Sequence, residues 1–131
     1  MNSSDVAVPG TVETITFPEG LVGLPDLRRF TVGALEGTAL FRLDSADEPS
    51  FGVVAARADD IHPGMSADLH ERGLMVEGAA LLVLLSVHGD PPSITANLAG
   101  PIVIDAAAAT ARQIVLEDPD YPLRAAVGSP G

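Results

Sequence analysis

Glycine and proline divide this chain into short apolar runs, and that division constrains its fold more than any other feature. The 131 residues include 13 Gly and 11 Pro, which recur between segments rich in Val, Ile, Leu and Thr. Strand-length segments with turn signals every roughly eight to twelve residues are typical of antiparallel sandwiches and barrels. We therefore predict a mainly β fold, a small antiparallel β-barrel-like or sandwich domain of roughly eight short strands.

One run is the best candidate for a core strand. Ala80–Val87 reads ALLVLLSV and ends at a Gly-Asp-Pro-Pro turn, which predicts a central strand covered on both faces. The segment FPEGLVGLPDLRRF is interrupted too densely for a regular element, and it predicts an ordered loop with Leu21 and Leu24 turned inward. The other predicted strands cover residues 11–17, 29–34, 40–43, 51–56, 94–98, 102–104 and 112–116.

Residues 58–73 contain the one short helix that the sequence predicts. Ser66 can cap its start, Leu69 falls on its inward face, and Gly73 can follow its last turn. The alanine-rich segment 105–110, DAAAAT, is helical by propensity, but it is short and lies between two predicted strands. We therefore predict a turn there.

A chain of this length forms one domain around one hydrophobic core. Four Phe and one Tyr are its only aromatic residues, so the core must consist mainly of Val, Ile, Leu and Ala. We expect the domain to span residues 11–125. Segments 1–10 and 126–131 should be flexible, because they lack apolar periodicity and are polar or rich in Gly and Pro.

The charge balance favours a protein partner over a nucleic acid. Eighteen acidic residues face seven basic ones, giving a formal net charge of −11, and such a surface repels phosphate backbones while it attracts a basic protein. The simpler alternative is that the acidity serves solubility. The longest apolar run, residues 79–85, is far shorter than the roughly 20 residues of a membrane-spanning helix, so we expect a soluble, cytoplasmic protein with no membrane partner.

Residue types that carry catalysis are sparse. The chain has no cysteine, which excludes disulfides and thiolate chemistry, and its three histidines lie in different predicted segments or turns. It contains no phosphate-binding loop, dinucleotide fingerprint or nucleophile motif. We therefore predict no enzymatic activity, no catalytic residue, no metal and no cofactor. The alternative is a carbohydrate- or metal-binding β-domain that uses the acidic turns at residues 44–48 and 117–120.

The segment SITANLAGPIVID carries two polar side chains, Thr95 and Asn97, in a predicted strand. Alternation turns Ile94, Ala96 and Leu98 inward and Thr95 and Asn97 outward, and the Gly-Pro pair at 100–101 is expected to reverse the chain into the next strand. The Asn97 amide can cap backbone groups at that turn. Alternatively, Thr95, Asn97 and the adjacent hairpin form an edge at which another chain docks.

Two long motifs carry a family resemblance. ITFPEGLVGLPDLRRF and ITANLAGPIVIDAAAATARQIVLEDPDYPLR resemble the bacterial flagellar assembly factor FliW family, and LFRLDSADEPSFGVVAA is similar to that family's acidic turn and following strand. Val22 stands where the family often has proline, and Leu24 where it often has an aromatic residue. The resemblance covers about residues 12–124.

The resemblance implies a small, mostly antiparallel β-barrel-like domain without catalytic activity. Family members bind the RNA-binding translational repressor CsrA and relieve its repression of flagellin synthesis, and they also bind flagellin, which competes for them. We expect one or two apolar or aromatic anchors and a set of polar contacts at the partner surface. The candidate anchors are Ile102 and Tyr121, although Tyr121 could instead hold the C-terminal segment to the barrel; the candidate polar contacts are Thr95, Asn97, Glu117, Asp118 and Asp120.

Overall fold

The computed structural model describes residues 12–127. The predicted flexible segment 1–10 and residues 128–131 of the predicted C-terminal tail lie outside the described residues. Within residues 12–127 the chain forms short strands joined by turns, with two short helices, and we number these elements in chain order. The strands are β1 (Val12–Thr16), β2 (Arg29–Ala34), β3 (Leu40–Ser45), β4 (Gly52–Arg57), β5 (Ala80–His88), β6 (Ser93–Ala96), β7 (Ile102–Asp105), β8 (Thr110–Gln113) and β9 (Ala125–Ala126), and the helices are α1 (Ala58–Ile61) and α2 (Met65–Glu71).

Seven strands close into a barrel, which confirms the mainly β, barrel-like prediction. Strands β1 to β5 pair antiparallel in chain order, and β5 then pairs with β7, which pairs with β8. A single parallel pairing, Thr16 with Thr110, joins β8 to β1 and completes the ring. Closure leaves each of these strands with a neighbour on both sides, which is the most effective way to remove exposed sheet edges.

Strand β5 organises the barrel because it has three strand neighbours. One edge pairs with β4, while the opposite edge pairs with β7 along its first half and with β6 along its second half. Leu82 pairs with Ile102 and Leu85 pairs with Ala96. Strands β6 and β7 therefore run in the same direction, end to end, and the prediction that Gly100 and Pro101 reverse the chain is wrong. Residues 97–101 form a loop in which Leu98, Gly100 and Pro101 are buried, and the reversal comes later, at residues 106–109 within the segment 105–110 predicted to turn.

The apolar side chains form two clusters on opposite faces of the barrel wall. Leu82 on β5 points into the barrel, whereas Leu81 and Val83 point outward beneath the helices. The predicted strand is therefore covered on both faces in its first half, but Ser86 and Val87 in its second half are exposed. We call the interior cluster the barrel core and the exterior one the outer core. The barrel core contains Ile15, Phe17, Leu21, Phe30, Leu43, Ala55, Leu82, Ile102, Ile104 and Ala111. The outer core contains Ala58, Met65, Leu69, Met75, Leu81, Val83, Ala96, Leu98, Val103, Leu116 and Tyr121.

The helical segment is divided into two helices rather than forming one. Pro63 disfavours helical backbone at the preceding residue, and Gly64, with φ of 90°, occupies the position that caps α2. Ser66 is therefore not the cap; its backbone N–H donates to Asp59 Oδ1 at 2.8 Å. Two other predictions are confirmed, since Leu69 is buried and Gly73 follows the last turn with φ of 75°.

The predictions for two side chains and one strand end are corrected by the structure. Ile94 and Leu24 are exposed rather than turned inward, whereas Leu21 is buried. Strand β8 ends at Gln113, because the next residues leave the strand and donate to carbonyls of the 97–101 loop. The C-terminal pairing continues to Val127, whose N–H donates to the Ile94 carbonyl at 3.0 Å. Among the described residues, no helix is long and apolar enough to cross a membrane.

Candidate partner-binding surface

The two family-like motifs meet at the side chain of Gln113. Its Oε1 accepts a hydrogen bond from the Val22 N–H at 2.8 Å, and its Nε2 donates to the Gly100 carbonyl at 2.9 Å. One side chain thereby holds the loop of the first motif against the 97–101 loop of the second. Sequence reasoning missed Gln113. The available signal was that it is the only glutamine of the chain and that it stands at the end of a strand.

Asn97 performs the local role that the sequence offered as one of two alternatives. Its Oδ1 accepts a hydrogen bond from the Gly100 N–H at 2.9 Å and so fixes the 97–101 loop. Thr95 is half-buried, and its Oγ1 lies 3.0 Å from His88 Nε2 across the β5–β6 pair. The free edge expected here for a docking chain is paired with the protein's own strand β9, through Ala125 and Ala126.

Ile102 lies wholly inside the barrel core, with no exposed surface. Its apolar neighbours there include Leu82, its partner across the β5–β7 pair. As folded, the chain itself covers this side chain, so Ile102 offers no surface to a partner. The error has a simple origin, because an isoleucine in a short apolar strand has the same sequence pattern whether it faces the core or a partner.

Tyr121 is also buried, at the centre of a polar cluster between α2 and the C-terminal segment. Its hydroxyl donates to Asp68 Oδ2 at 2.5 Å. Arg72 Nη2 lies 3.0 Å from the same carboxylate oxygen and 2.7 Å from Asp118 Oδ2, with its guanidinium 5.6 Å from the tyrosine ring centre. The His62 ring packs at 5.0 Å from the tyrosine ring. We call Asp68, Arg72, Asp118 and Tyr121 the tyrosine lock.

Electrostatics in the tyrosine lock follow from these contacts. Burial, followed by the hydrogen bond to Asp68, raises the pKa of Tyr121 to about 12. The Tyr121 hydroxyl is the main cause that lowers the pKa of Asp68, with Arg72 contributing. The backbone N–H of Asp120 and the Arg72 guanidinium lower the pKa of Asp118. The lock is therefore built for a neutral tyrosine, two carboxylates and a guanidinium.

The remaining predicted polar residues lie on the surface. Glu117 and Asp120 are exposed, on either side of the Asp118 that Arg72 holds. The structure also exposes apolar side chains that the sequence had not singled out as contacts: Val22 is 59% exposed, Leu24 38% and Val115 61%.

Carboxylates of the other acidic turn serve the fold itself. Asp47 Oδ2 accepts hydrogen bonds from the backbone N–H groups of Arg28 and Arg29, at 2.8 and 2.9 Å, and these bonds lower the pKa of Asp47. Asp44 pairs with Arg42 at 2.9 Å. Across residues 12–127, no group of three or more His, Cys, Asp or Glu side chains is placed to hold a metal ion.

A half-open groove of about 340 Å³ lies on the outer face of the β7–β8 hairpin. Val103, Leu74 and Met75 supply apolar lining, while Glu19 and Arg112 are among its polar residues. None of the predicted site residues lines it. The predicted residues thus divide between the folded interior and an open surface rather than converging on a cleft.

Comparison with known proteins identifies the family. A family model described as FliW protein matches residues 6–127. The flagellar assembly factor FliW of Symbiobacterium thermophilum is 33% identical over 116 residues, covering 82% of this chain and 84% of the relative. The corresponding protein of Bdellovibrio bacteriovorus is 29% identical over 119 residues, covering 86% of this chain and 68% of the relative.

A solved structure has the same fold. It is described as the crystal structure of the flagellar assembly factor FliW, and it superimposes with a TM-score of 0.70 and 24% identity, covering 88% of this chain and 86% of its own. The barrel is therefore the architecture of a known flagellar protein. Since the family match extends over nearly the whole sequence, this chain belongs to the FliW family of flagellar assembly factors.

Proposed function

We propose that this protein is a non-catalytic, cytoplasmic regulator that binds flagellin and antagonises the translational repressor CsrA. The observation that carries the proposal is the family match over residues 6–127. In this scheme the free protein holds the repressor away from the flagellin message. Accumulating flagellin then occupies the protein and releases the repressor.

The charge of the chain supports a basic partner. A net charge of −11 speeds the encounter with a basic protein and lowers the local potential for incoming RNA, which reinforces any direct obstruction of the RNA site. Electrostatic attraction of this kind acts mainly on the association rate and weakens with salt, so the complex also needs apolar anchors.

The arrangement of the acidic residues supports a binding role over the carbohydrate or metal alternative. Asp47 and Asp44 in one acidic turn are engaged by backbone amides and by an arginine, and Asp118 in the other is engaged by Arg72. What remains free is a dispersed set of exposed carboxylates, which suits long-range attraction better than coordination of one ion or sugar.

The test is a competition between two purified partners. We expect isothermal titration at low salt to show binding of this protein to flagellin and to CsrA, each in the micromolar range or tighter. Added flagellin should then displace CsrA from the complex and restore CsrA binding to its RNA. No heat and no retention with either partner would refute the proposal, and simultaneous binding of both without displacement would refute the switch.

A further inference from the structure

We propose that this protein self-associates through the uncovered half of its outer sheet face, so that a second copy of the chain occupies that face. The apolar side chains concerned are Val54, Leu85, Val87, Ile94 and Val127, which we call the outer patch. The proposed function assigns no role to these residues, so self-association and partner binding can be tested separately.

Two rows of apolar side chains cross the sheet on its outer face. In the first row, Leu85 on β5 lies opposite Val54 on β4 and opposite Ala96 on β6. Ala96 in turn lies opposite Ala125 on β9, and directly opposed side chains point to the same side of a sheet. Ala96 belongs to the outer core, and Leu85 and Ala125 pack against it. The first row therefore continues the outer core along the sheet.

The second row is the more exposed one. Val87 lies opposite Ile94 in the β5–β6 pair, and the Val127 N–H donates to the Ile94 carbonyl at 3.0 Å, in continuation of the β6–β9 pairing. Because side chains alternate between the two faces of a strand, this row points to the same side as the first. Val87 is 67% exposed and Ile94 44%. The helices that cover Leu81 and Val83 thus leave this half of the face open.

The outer patch carries no ionisable group of its own. On β3, the next strand, Arg42 and Asp44 pair with each other at 2.9 Å. His88 faces the opposite side of the sheet, where its Nε2 lies 3.0 Å from Thr95 Oγ1. The other ionisable residues within three positions of β4, β5, β6 and β9 are Arg57, Asp59, Asp60, Glu77, Asp90 and Arg124. They belong to turns, strand ends, a helix and the C-terminal segment rather than to the two apolar rows.

The absence of charge selects the occupant. The chain has a net charge of −11, so two copies that met through its acidic regions would repel each other. At the outer patch, two copies bring together only apolar side chains, and no charge is buried without a partner. A basic protein would gain its attraction from the acidic regions and none from this face. The uncovered faces of two sheets can also stack on each other, about 10 Å apart.

The size of the outer patch determines how strong the contact can be. Strand β9, at the end of the sheet, has only two residues, so it offers little backbone for a further strand, and the contact must be made by the face. The outer patch is far smaller than the roughly 20–30 residues that each partner contributes to a standard interface. We therefore expect a weak, concentration-dependent dimer with a Kd on the order of 100 µM.

The experiment compares two variants of equal net charge. Val87→Glu places a carboxylate in the outer patch of each copy, and like charges brought together across an interface are strongly unfavourable. Val22→Glu is the control, because Val22 is 59% exposed and is bonded to Gln113 at the end of β8. Neither β8 nor β1, which precedes Val22, pairs with a strand of the outer patch.

Sedimentation equilibrium gives the dimerisation constant of each variant. Interference optics suit this chain, which has one tyrosine and no tryptophan to absorb light. We expect Val87→Glu to weaken dimerisation at least about tenfold and Val22→Glu to stay within about twofold of wild type. Wild type that remains monomeric at about 1 mM, well above the expected Kd, would overturn the proposal. Equal dimerisation of wild type and Val87→Glu would also overturn it.

Salt dependence identifies the occupant independently. Salt screens the repulsion between two copies of the same charged chain, so dimerisation of wild type should strengthen as salt rises from about 50 to 500 mM. Binding of a basic protein should weaken over the same range. Dimerisation that weakens with salt would mean that the copies meet through oppositely charged regions, and the outer patch would then be the wrong interface.

The remaining outcomes concern the occupant and the fold of the variants. If wild type is monomeric and Val87→Glu weakens binding to purified CsrA or flagellin, the face binds another protein and the second copy is the wrong occupant. Circular dichroism and thermal unfolding confirm that each variant is folded. Ile94→Thr keeps a β-branched side chain and repeats the test if Val87→Glu is unfolded, with an expected weakening of about threefold. Failure to dimerise leaves the proposed function intact, because the competition between flagellin and CsrA tests that function.

Discussion

The barrel core and the C-terminal strap, which we define as residues 114–127, are held in different ways. In the barrel core, Phe30 contacts Phe17 and Phe51 edge to face at 5.2 and 6.2 Å, and every member is apolar. The strap instead combines buried Leu116 with the tyrosine lock, in which charged and hydroxyl groups are paired over short distances. One region depends on non-directional packing and the other on directed polar contacts.

This difference predicts that the two regions respond differently to pH. Packing of apolar side chains involves no ionisable group, so the contribution of the barrel core to the free energy of unfolding should not change with pH. Hydrogen bonds to ionised groups are strong only while those groups stay ionised. The strap should therefore respond to pH, and the predictions below test the contrast in order of decreasing effect.

Phe30→Ala should lower the free energy of unfolding more than any other change. Phe30 is fully buried between two other rings, and removing such a side chain leaves a cavity that costs about 3–5 kcal/mol. Urea denaturation should show this loss at neutral pH and a loss of equal size at mildly acidic pH. A loss that grows or shrinks markedly with pH would mean that the barrel core is coupled to ionisable groups.

Titration of Tyr121 with base should reveal the next largest effect. It is the only tyrosine and the chain has no tryptophan, so tyrosinate absorbance reports it alone. The folded pKa is raised to about 12 from the ordinary value of 10.0, so the stability that its neutral form contributes is complete below the unfolded pKa and is lost as pH rises through the folded one. Ionisation of folded protein at the ordinary tyrosine pKa would contradict the lock.

Tyr121→Phe should reduce stability by about 1–2 kcal/mol, because a buried hydrogen bond to a carboxylate is removed while the ring remains. Affinity for CsrA and flagellin, measured per folded molecule, should not change. This separates the two roles that the sequence left open for Tyr121: lower affinity with unchanged stability would restore the interface role.

Ile102→Val should lower the free energy of unfolding by about 1 kcal/mol, the usual effect of removing one buried methylene group from a core. Since Ile102 is fully buried, partner affinity should again stay the same. Weaker binding to either partner by this variant, with stability intact, would show that Ile102 becomes exposed in the complex.

The barrel was largely predictable from the sequence because alternation and turn residues act locally. Ala80–Val87, for example, could be identified as a strand from its apolar run and the turn residues that follow it, although only its first half is covered on both faces. The topology at Gly100 was not predictable in the same way. Glycine followed by proline signals a break in a strand, but whether the chain then reverses or continues depends on which half of β5 is free to pair, and that is a tertiary property.

Candidate site residues were harder to predict because the decisive contacts are distant in sequence. Asp68 and Tyr121 are separated by 53 residues, and Val22 and Gln113 by 91, so no local pattern relates them. The two family-like motifs identify segments of the chain but not the orientation of each side chain. They could not distinguish side chains that hold the fold, such as Asn97 and Ile102, from those that the fold exposes, such as Val22 and Val115.

The change of stability at acid pH should differ least between the variants, but this difference is the most specific to the strap. The folded pKa values of Asp68 and Asp118 are lowered, so their contribution is complete above the unfolded pKa, near the ordinary 3.8, and is lost as pH falls through the folded values. Tyr121→Phe removes the main cause of the lowered Asp68 pKa. We call the fall in the free energy of unfolding at acid pH the acid limb, and urea denaturation should show a shallower acid limb for this variant than for wild type. The limb should not vanish, since Asp47 keeps its lowered pKa.

Phe30→Ala supplies the control, because its stability should fall in parallel with wild type. Identical acid limbs for wild type and Tyr121→Phe would mean that the hydrogen bond between Tyr121 and Asp68 does not stabilise the strap, and the contrast between the two regions would then depend on Asp118 and Arg72 alone.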